Sequence, residues 1–184
     1  MRRLFRVGLV WMCILGAAPA GTGWADDDFR REGSEESRKL KDALEGKPPP
    51  ALHVKGWMNI DGKSLRLDDL QGRVVLIDFW GTWCGPCRAA MPHLKELYAK
   101  YKKDGLVIVG IHTTEDAETM PEFIQAQEIP WPVAVDVANM TVDAFAVDSF
   151  PDYYVVDRRG ILRVADLQNA DVDRVVEILL NEKP

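Results

Sequence analysis

Val74-Val-Leu-Ile-Asp78-Phe-Trp-Gly-Thr-Trp83-Cys84-Gly85-Pro86-Cys87-Arg-Ala-Ala-Met-Pro92 is the segment on which the reading of this chain turns. Its first seven residues form a near-continuous apolar run, the pattern of a strand covered on both faces. Downstream, Leu94, Leu97, Tyr98 and Tyr101 recur at i, i+3, i+4 and i+7, so a helix is expected from about Pro86 to Lys103. The two cysteines therefore fall between a buried strand and the first turn of a helix. Unpaired backbone N–H groups and the positive end of the helix dipole meet there, and a thiol so placed ionises more readily than free cysteine. Cys84, expected to be the more exposed of the two, is the candidate nucleophile. Cys87, a turn deeper, is the candidate resolving thiol. Pro86 suits a helix start, where its missing N–H costs little, and Gly85 allows the tight turn.

Asp78 interrupts the apolar run six residues before Cys84. A carboxyl group among such neighbours is desolvated, which favours its neutral form. Its candidate role is to take and return the proton of Cys87; the competing reading is an acid at a strand end facing water. A zinc site needs four ligands, and no second cysteine pair exists, while His53, His93 and His112 are scattered. Haem attachment requires a histidine directly after the second cysteine, where Arg88 stands. A copper site on the two cysteines would need the fold to bring in a histidine. Neither a metal nor a cofactor is expected.

Outward from this segment, residues 52–60 and 63–66 flank Asp61-Gly62, a hairpin signal. Leu106 to Ile111 reads as a second buried strand. Met120, Phe123 and Ile124 share one helical face, with Thr119 and Glu122 spaced as a capping box. Val133 to Val135 reads as a short strand and 140–147 as a short helix. Tyr153 to Val156 and Ile161 to Ala165 flank a turn at Asp157–Gly160. Val172, Val175, Val176 and Leu179 make the last helix amphipathic. Strands alternating with helices, then an antiparallel hairpin and a final helix, give an α/β class with a mixed central sheet flanked by helices and an N-terminal β-hairpin.

The N-terminal part is different. Arg2, Arg3 and Arg6 precede an uncharged run from Val7 to Ala18, and small residues follow, so residues 1–25 read as an export signal cleaved after Ala20 or Ala25. The rival reading is an uncleaved membrane anchor, although Gly16, Pro19, Gly21 and Gly23 break its second half. Cys13 lies inside this segment. Residues 26–50 are dominated by charge and end in Pro48-Pro49-Pro50; so few large apolar residues predict a flexible leader. Residues 51–184 form the expected domain. Loss of residues 1–25 removes three arginines and takes the formal charge from −6 to about −9, which argues against a nucleic-acid or anionic-membrane surface. It also leaves Cys84 and Cys87 as the remaining thiols, with no framework of structural disulfides.

The string from Asp78 to Cys87, with Pro92 five residues on, resembles thioredoxin. The leading hairpin, the export signal and an insertion around 115–132 are more similar to the exported TlpA/ResA branch of that superfamily, a likeness covering residues 51–184. The resemblance implies a thioredoxin-like fold and a cis-proline facing the cysteine pair, matched by Pro151. It implies a substrate groove bordered by Trp83, Gly85, Pro86, Phe150 and Pro151. Phe150 is bulkier than the usual residue there, and Asp152 stands where threonine is common; the resemblance implies that both border the groove, with Asp152 opposing the Cys84 thiolate. The implied activity is thiol–disulfide exchange outside the cytoplasm on disulfide-bearing exported proteins, with a membrane electron donor if the protein acts as a reductant. The alternatives are a thiol peroxidase with antioxidant activity, against which Thr82 stands one place too near Cys84, and a non-catalytic binding or metal-carrier module.

Overall fold

A computed structural model describes residues 29–62 and 64–182. The export signal expected over residues 1–25 lies outside the described residues. At the centre of the molecule is β2 (Val74–Trp80), buried at every position. It is covered because it lies deep in a six-stranded sheet of order β1-β4-β3-β2-β5-β6. β2 runs parallel to β3 (Leu106–His112), which runs parallel to β4 (Val133–Asp136). β1 (Val54–Met58) lies antiparallel on the β4 edge, and β5 (Asp152–Val156) and β6 (Leu162–Ala165) close the other side antiparallel.

Strand alternation divides the core in two. Val74, Leu76 and Trp80 face Leu94 and Leu97 of α2 (Gly85–Tyr101) and Val172, Val175, Val176 and Leu179 of α5 (Val172–Asn181). Val75, Ile77 and Phe79 face Phe145, which follows α4 (Met140–Ala144), and Tyr154. The Tyr154 hydroxyl donates to the Phe145 carbonyl at 2.8 Å, so this large ring is buried without a stranded polar group. Gly110 on β3 faces the indoles of Trp80 and Trp131; a Cβ there would fall 3.1 Å from Trp80 Nε1.

Three sequence expectations are corrected. The N-terminal hairpin has only its first arm: β1 pairs with β4 across the chain, and residues 64–66 carry no strand. Thr119 does not cap α3 (Met120–Ala126) with its side chain; its hydroxyl donates to the Asp116 carbonyl instead. The leader is not a loose tail. Its described part carries α1 (Glu35–Asp42), capped by Ser34, with Phe29 and Lys41 buried. Arg31 bridges to Leu167. The Arg30 guanidinium grips Asp171, and the Arg31 guanidinium grips Glu45. The apolar residues of this segment are too few to order it, as the composition implied. Distant partners hold it: the Glu32 and Gly46 N–H groups donate to the Asp166 and Leu162 carbonyls, the Arg30 and Lys47 carbonyls accept from the Gln168 and Leu162 N–H groups, and Phe29 joins the core.

Candidate active site

The last residues of β2 deliver the chain to α2 through Gly81-Thr82-Trp83, and Cys84 is the N-cap of α2 in extended conformation. Its Sγ accepts the backbone N–H of Cys87 at 3.1 Å, as a helix-capping oxygen would. Pro86 sits in the first turn. The cysteines form a disulfide, with S–S 2.01 Å and Cα atoms 5.3 Å apart. In this oxidised form Cys84 and Cys87 are 3% and 2% exposed. The expected difference in exposure is therefore absent in this form. What separates the two is the capping position: only Cys84 Sγ receives a helix N–H, a bond that strengthens when the sulfur is a thiolate.

Trp83, directly before Cys84, is 43% exposed and meets the half-buried ring of Phe150, the residue before Pro151, edge to face, with centroids 5.7 Å apart. The Phe150–Pro151 peptide is cis. Pro86, Phe150 and Pro151 line one cleft together with Tyr153, Leu167 and Glu32. Trp83, Gly85 and Pro86 are thus brought to the same surface as Phe150 and Pro151. Glu32 comes from the leader and was not anticipated.

Asp78 lies on the face of β2 that Leu76 and Trp80 share, the side on which both cysteines are buried. It is 2% exposed, and its Oδ1 makes no hydrogen bond to the protein. Burial pushes its carboxyl up to about 7, where it gives and takes protons near neutral pH. Tyr153 stands opposite it in the sheet register, and burial with the nearby Asp78 charge raises the Tyr153 phenol, which stays neutral.

Asp152 corrects another expectation. It faces the opposite side of the sheet from Tyr153, fully buried, where Lys41 Nζ donates to its Oδ2 at 3.2 Å and the Tyr154 hydroxyl oxygen stands 3.3 Å from it. It neither borders the cleft nor opposes the Cys84 thiolate. Burial, with the Asp166 charge, pushes its carboxyl up to about 8.

His112, which the sequence shows only as one of three scattered histidines, closes β3 and is fully buried. Its Nε2 accepts the Thr82 N–H at 2.9 Å, so the ring proton sits on Nδ1 and is donated to the Thr113 carbonyl at 2.7 Å. Burial lowers its pKa and keeps it neutral. The ring thereby fixes the loop that presents Cys84. Its only sequence signal is its place directly after the buried run Leu106–Ile111. The Thr82 hydroxyl meets the Thr119 hydroxyl at 2.6 Å. His93 pairs with Asp173 at 2.6 Å on the surface.

The model of the AhpC/TSA family matches residues 46–165, more than half of the sequence. The chain belongs to this family. The thiol-disulfide oxidoreductase ResA of Bacillus cereus is 34% identical over 115 residues, covering 62% of this chain and 65% of the relative. ResA of Geobacillus kaustophilus is 30% identical over 122 residues, covering 65% and 70%. The match thus spans less than two thirds of the length of the first of these relatives. Among solved structures, the thioredoxin domain of a thiol-disulfide oxidoreductase from Bacteroides vulgatus superposes with a TM-score of 0.66 at 26% identity, covering 74% of this chain and 98% of that one. A thiol:disulfide interchange protein of the thioredoxin family from Chlorobium tepidum gives 0.60 at 26% identity, covering 73% and 97%. The fold is thioredoxin-like, and family and fold together place the chain in the redoxin branch of the thioredoxin superfamily.

Proposed function

We propose that this protein is a thiol–disulfide oxidoreductase that reduces protein disulfides outside the cytoplasm through Cys84 and Cys87. The observation that carries the reading is the cysteine pair at the start of α2, with Cys84 Sγ capping the helix and Asp78 buried on the same side of the sheet. In the reduced protein the Cys84 thiolate attacks one sulfur of a substrate disulfide. A mixed disulfide forms, and the other substrate sulfur leaves as a thiolate that takes a proton from water. Asp78 takes the proton of Cys87. The Cys87 thiolate then attacks Cys84 Sγ, the second substrate thiolate leaves, and two electrons have passed from the Cys84–Cys87 dithiol to the substrate. A separate donor restores the dithiol; in an exported protein it acts from the membrane.

Export rests on the Arg-led apolar segment at the N-terminus. Among the described residues no helix is long and apolar enough to cross a membrane. The named relatives' oxidoreductase function supports the exchange chemistry. A thiol peroxidase is the weaker reading, because Thr82 lies two residues before Cys84 and its hydroxyl is engaged with Thr119.

Trapping tests the proposal. Cys87→Ser should accumulate mixed disulfides through Cys84, resolved by reductant, while Cys84→Ser should accumulate none. Equal trapping by both variants, or by neither, would remove the assigned roles; peroxide consumption by Cys87→Ser without any trapped protein would favour the peroxidase.

A further inference from the structure

The segment from Phe29 to Lys47 crosses beside the loop that carries Phe150 and Pro151, and one buried ammonium joins them. Lys41 has no exposed surface. Its Nζ donates to Asp148 at 2.6 Å, Asp152 at 3.2 Å and Asp166 at 2.5 Å. Asp148 precedes Phe150 by two residues, and Asp152 directly follows Pro151. A single group thus ties both ends of the loop to each other and to the end of β6. The strap is seated closely. Gly33 has φ +99°, and a Cβ there would fall 2.9 Å from Asp166 Oδ2. The Glu32 N–H donates to the Asp166 carbonyl at 2.9 Å, and Glu32 itself lines the cleft with Pro86, Phe150 and Pro151.

Burial of a lysine among carboxylates is a poor source of stability, since well-packed apolar groups usually do as well or better. Its cost is better understood from what it holds in place. An apolar plug would fill the space at Lys41, but it would not bind Asp148 to Asp152. Burial works against the ammonium, yet its hydrogen bonds to Asp148 and Asp166 outweigh that and hold it above its ordinary range.

We propose that Lys41 is a positioning residue for disulfide exchange: through Asp148 and Asp152 it sets the Phe150–Pro151 loop against Cys84, and the strap that carries it forms one wall of the groove for a polypeptide substrate. The proposal rests on the exchange reading above. A polypeptide disulfide must lie along this loop to reach Cys84, whereas a small disulfide needs only the sulfur.

The test compares reduction of insulin with reduction of glutathione disulfide by the full-length, pre-reduced protein. Asp148→Ala removes the acceptor at one end of the tie and leaves Lys41 bonded to Asp152 and Asp166; the Asp148 side chain is 35% exposed, so the change is mild for folding. Lys41→Met cuts both ends. Asp148→Ala should slow insulin reduction roughly ten- to a hundredfold, as expected for a displaced substrate. Its rate with glutathione disulfide and its Cys84 alkylation–pH profile should stay at wild-type values. Lys41→Met, where it folds, should show the same split more strongly. Wild-type rates on insulin in Asp148→Ala, or an equal loss on both substrates, would overturn the positioning role. Wild-type protein inert toward both disulfides would overturn the exchange reading, and this proposal with it.

Discussion

At position 78 a carboxyl group sits in a strand whose other six residues are apolar and buried. Its raised pKa, about 7 against an ordinary 3.8, means that the folded state binds its proton more tightly than the unfolded chain. The resulting contribution to stability is complete below pH 3.8 and is lost as pH rises through 7. At pH 8 the ionised, unpaired carboxylate weighs against folding. Asp78→Asn should therefore raise stability at pH 8 by about 1–3 kcal/mol, less than the full linkage because a buried amide also lacks a partner, and change it little at pH 4. Urea midpoints at the two pH values check this. The same variant should slow release of the mixed disulfide, and the wild-type release rate should rise with pH through about 7. Lost stability at both pH values with unchanged release would make Asp78 structural. The burial of Asp78 was legible in the sequence because its neighbours on both sides are apolar. The direction of Asp152 was not. Strand alternation turns it to the face away from the cysteines, and knowing which face requires the register with β2.

Among elements, β2, α2, β3 and the β5–β6 pair were legible because period-2 and period-3.6 patterns repeat over enough residues to identify them. The strap and the missing hairpin arm were not, since both depend on distant partners: α1 on Asp148, Asp152 and Asp166, and β1 on β4. His112 shows the same dependence. It belongs to β3 by sequence, but it acts on the loop after β2 by accepting the Thr82 N–H. His112→Ala leaves that N–H without its acceptor and opens a cavity beside Trp80, whose ring stands 4.8 Å from the imidazole. We expect a loss of roughly 2–4 kcal/mol in denaturant unfolding, from the combined cavity and unsatisfied donor. Alkylation of reduced Cys84 should also slow, because the loop that presents it is no longer held. Unchanged stability would mean that water replaces the ring without cost. The neutral imidazole contributes stability above its ordinary pKa of 6.5, and that contribution is lost as pH falls.

Over the whole molecule the formal charge is −6, and the part after residue 25 is more acidic still. The cleft adds Glu32 at its rim. Oppositely charged partners associate faster, and salt screens the effect. Reduction of a basic disulfide protein should therefore outpace that of an acidic one at low salt, and the gap should narrow as salt is added; a gap indifferent to salt would rule out charge steering. The thioredoxin-like architecture places a disulfide at a helix start, and the proposed activity requires that bond to be exchangeable. The most direct measurement mixes pre-reduced protein with excess insulin, quenches with an alkylating reagent, and follows both partners by mass spectrometry. Each molecule that loses its Cys84 and Cys87 thiols to an internal disulfide should release two insulin thiols, and Cys84→Ser should abolish the reaction. Retention of both protein thiols, or insulin reduction that persists in Cys84→Ser, would contradict the proposed activity.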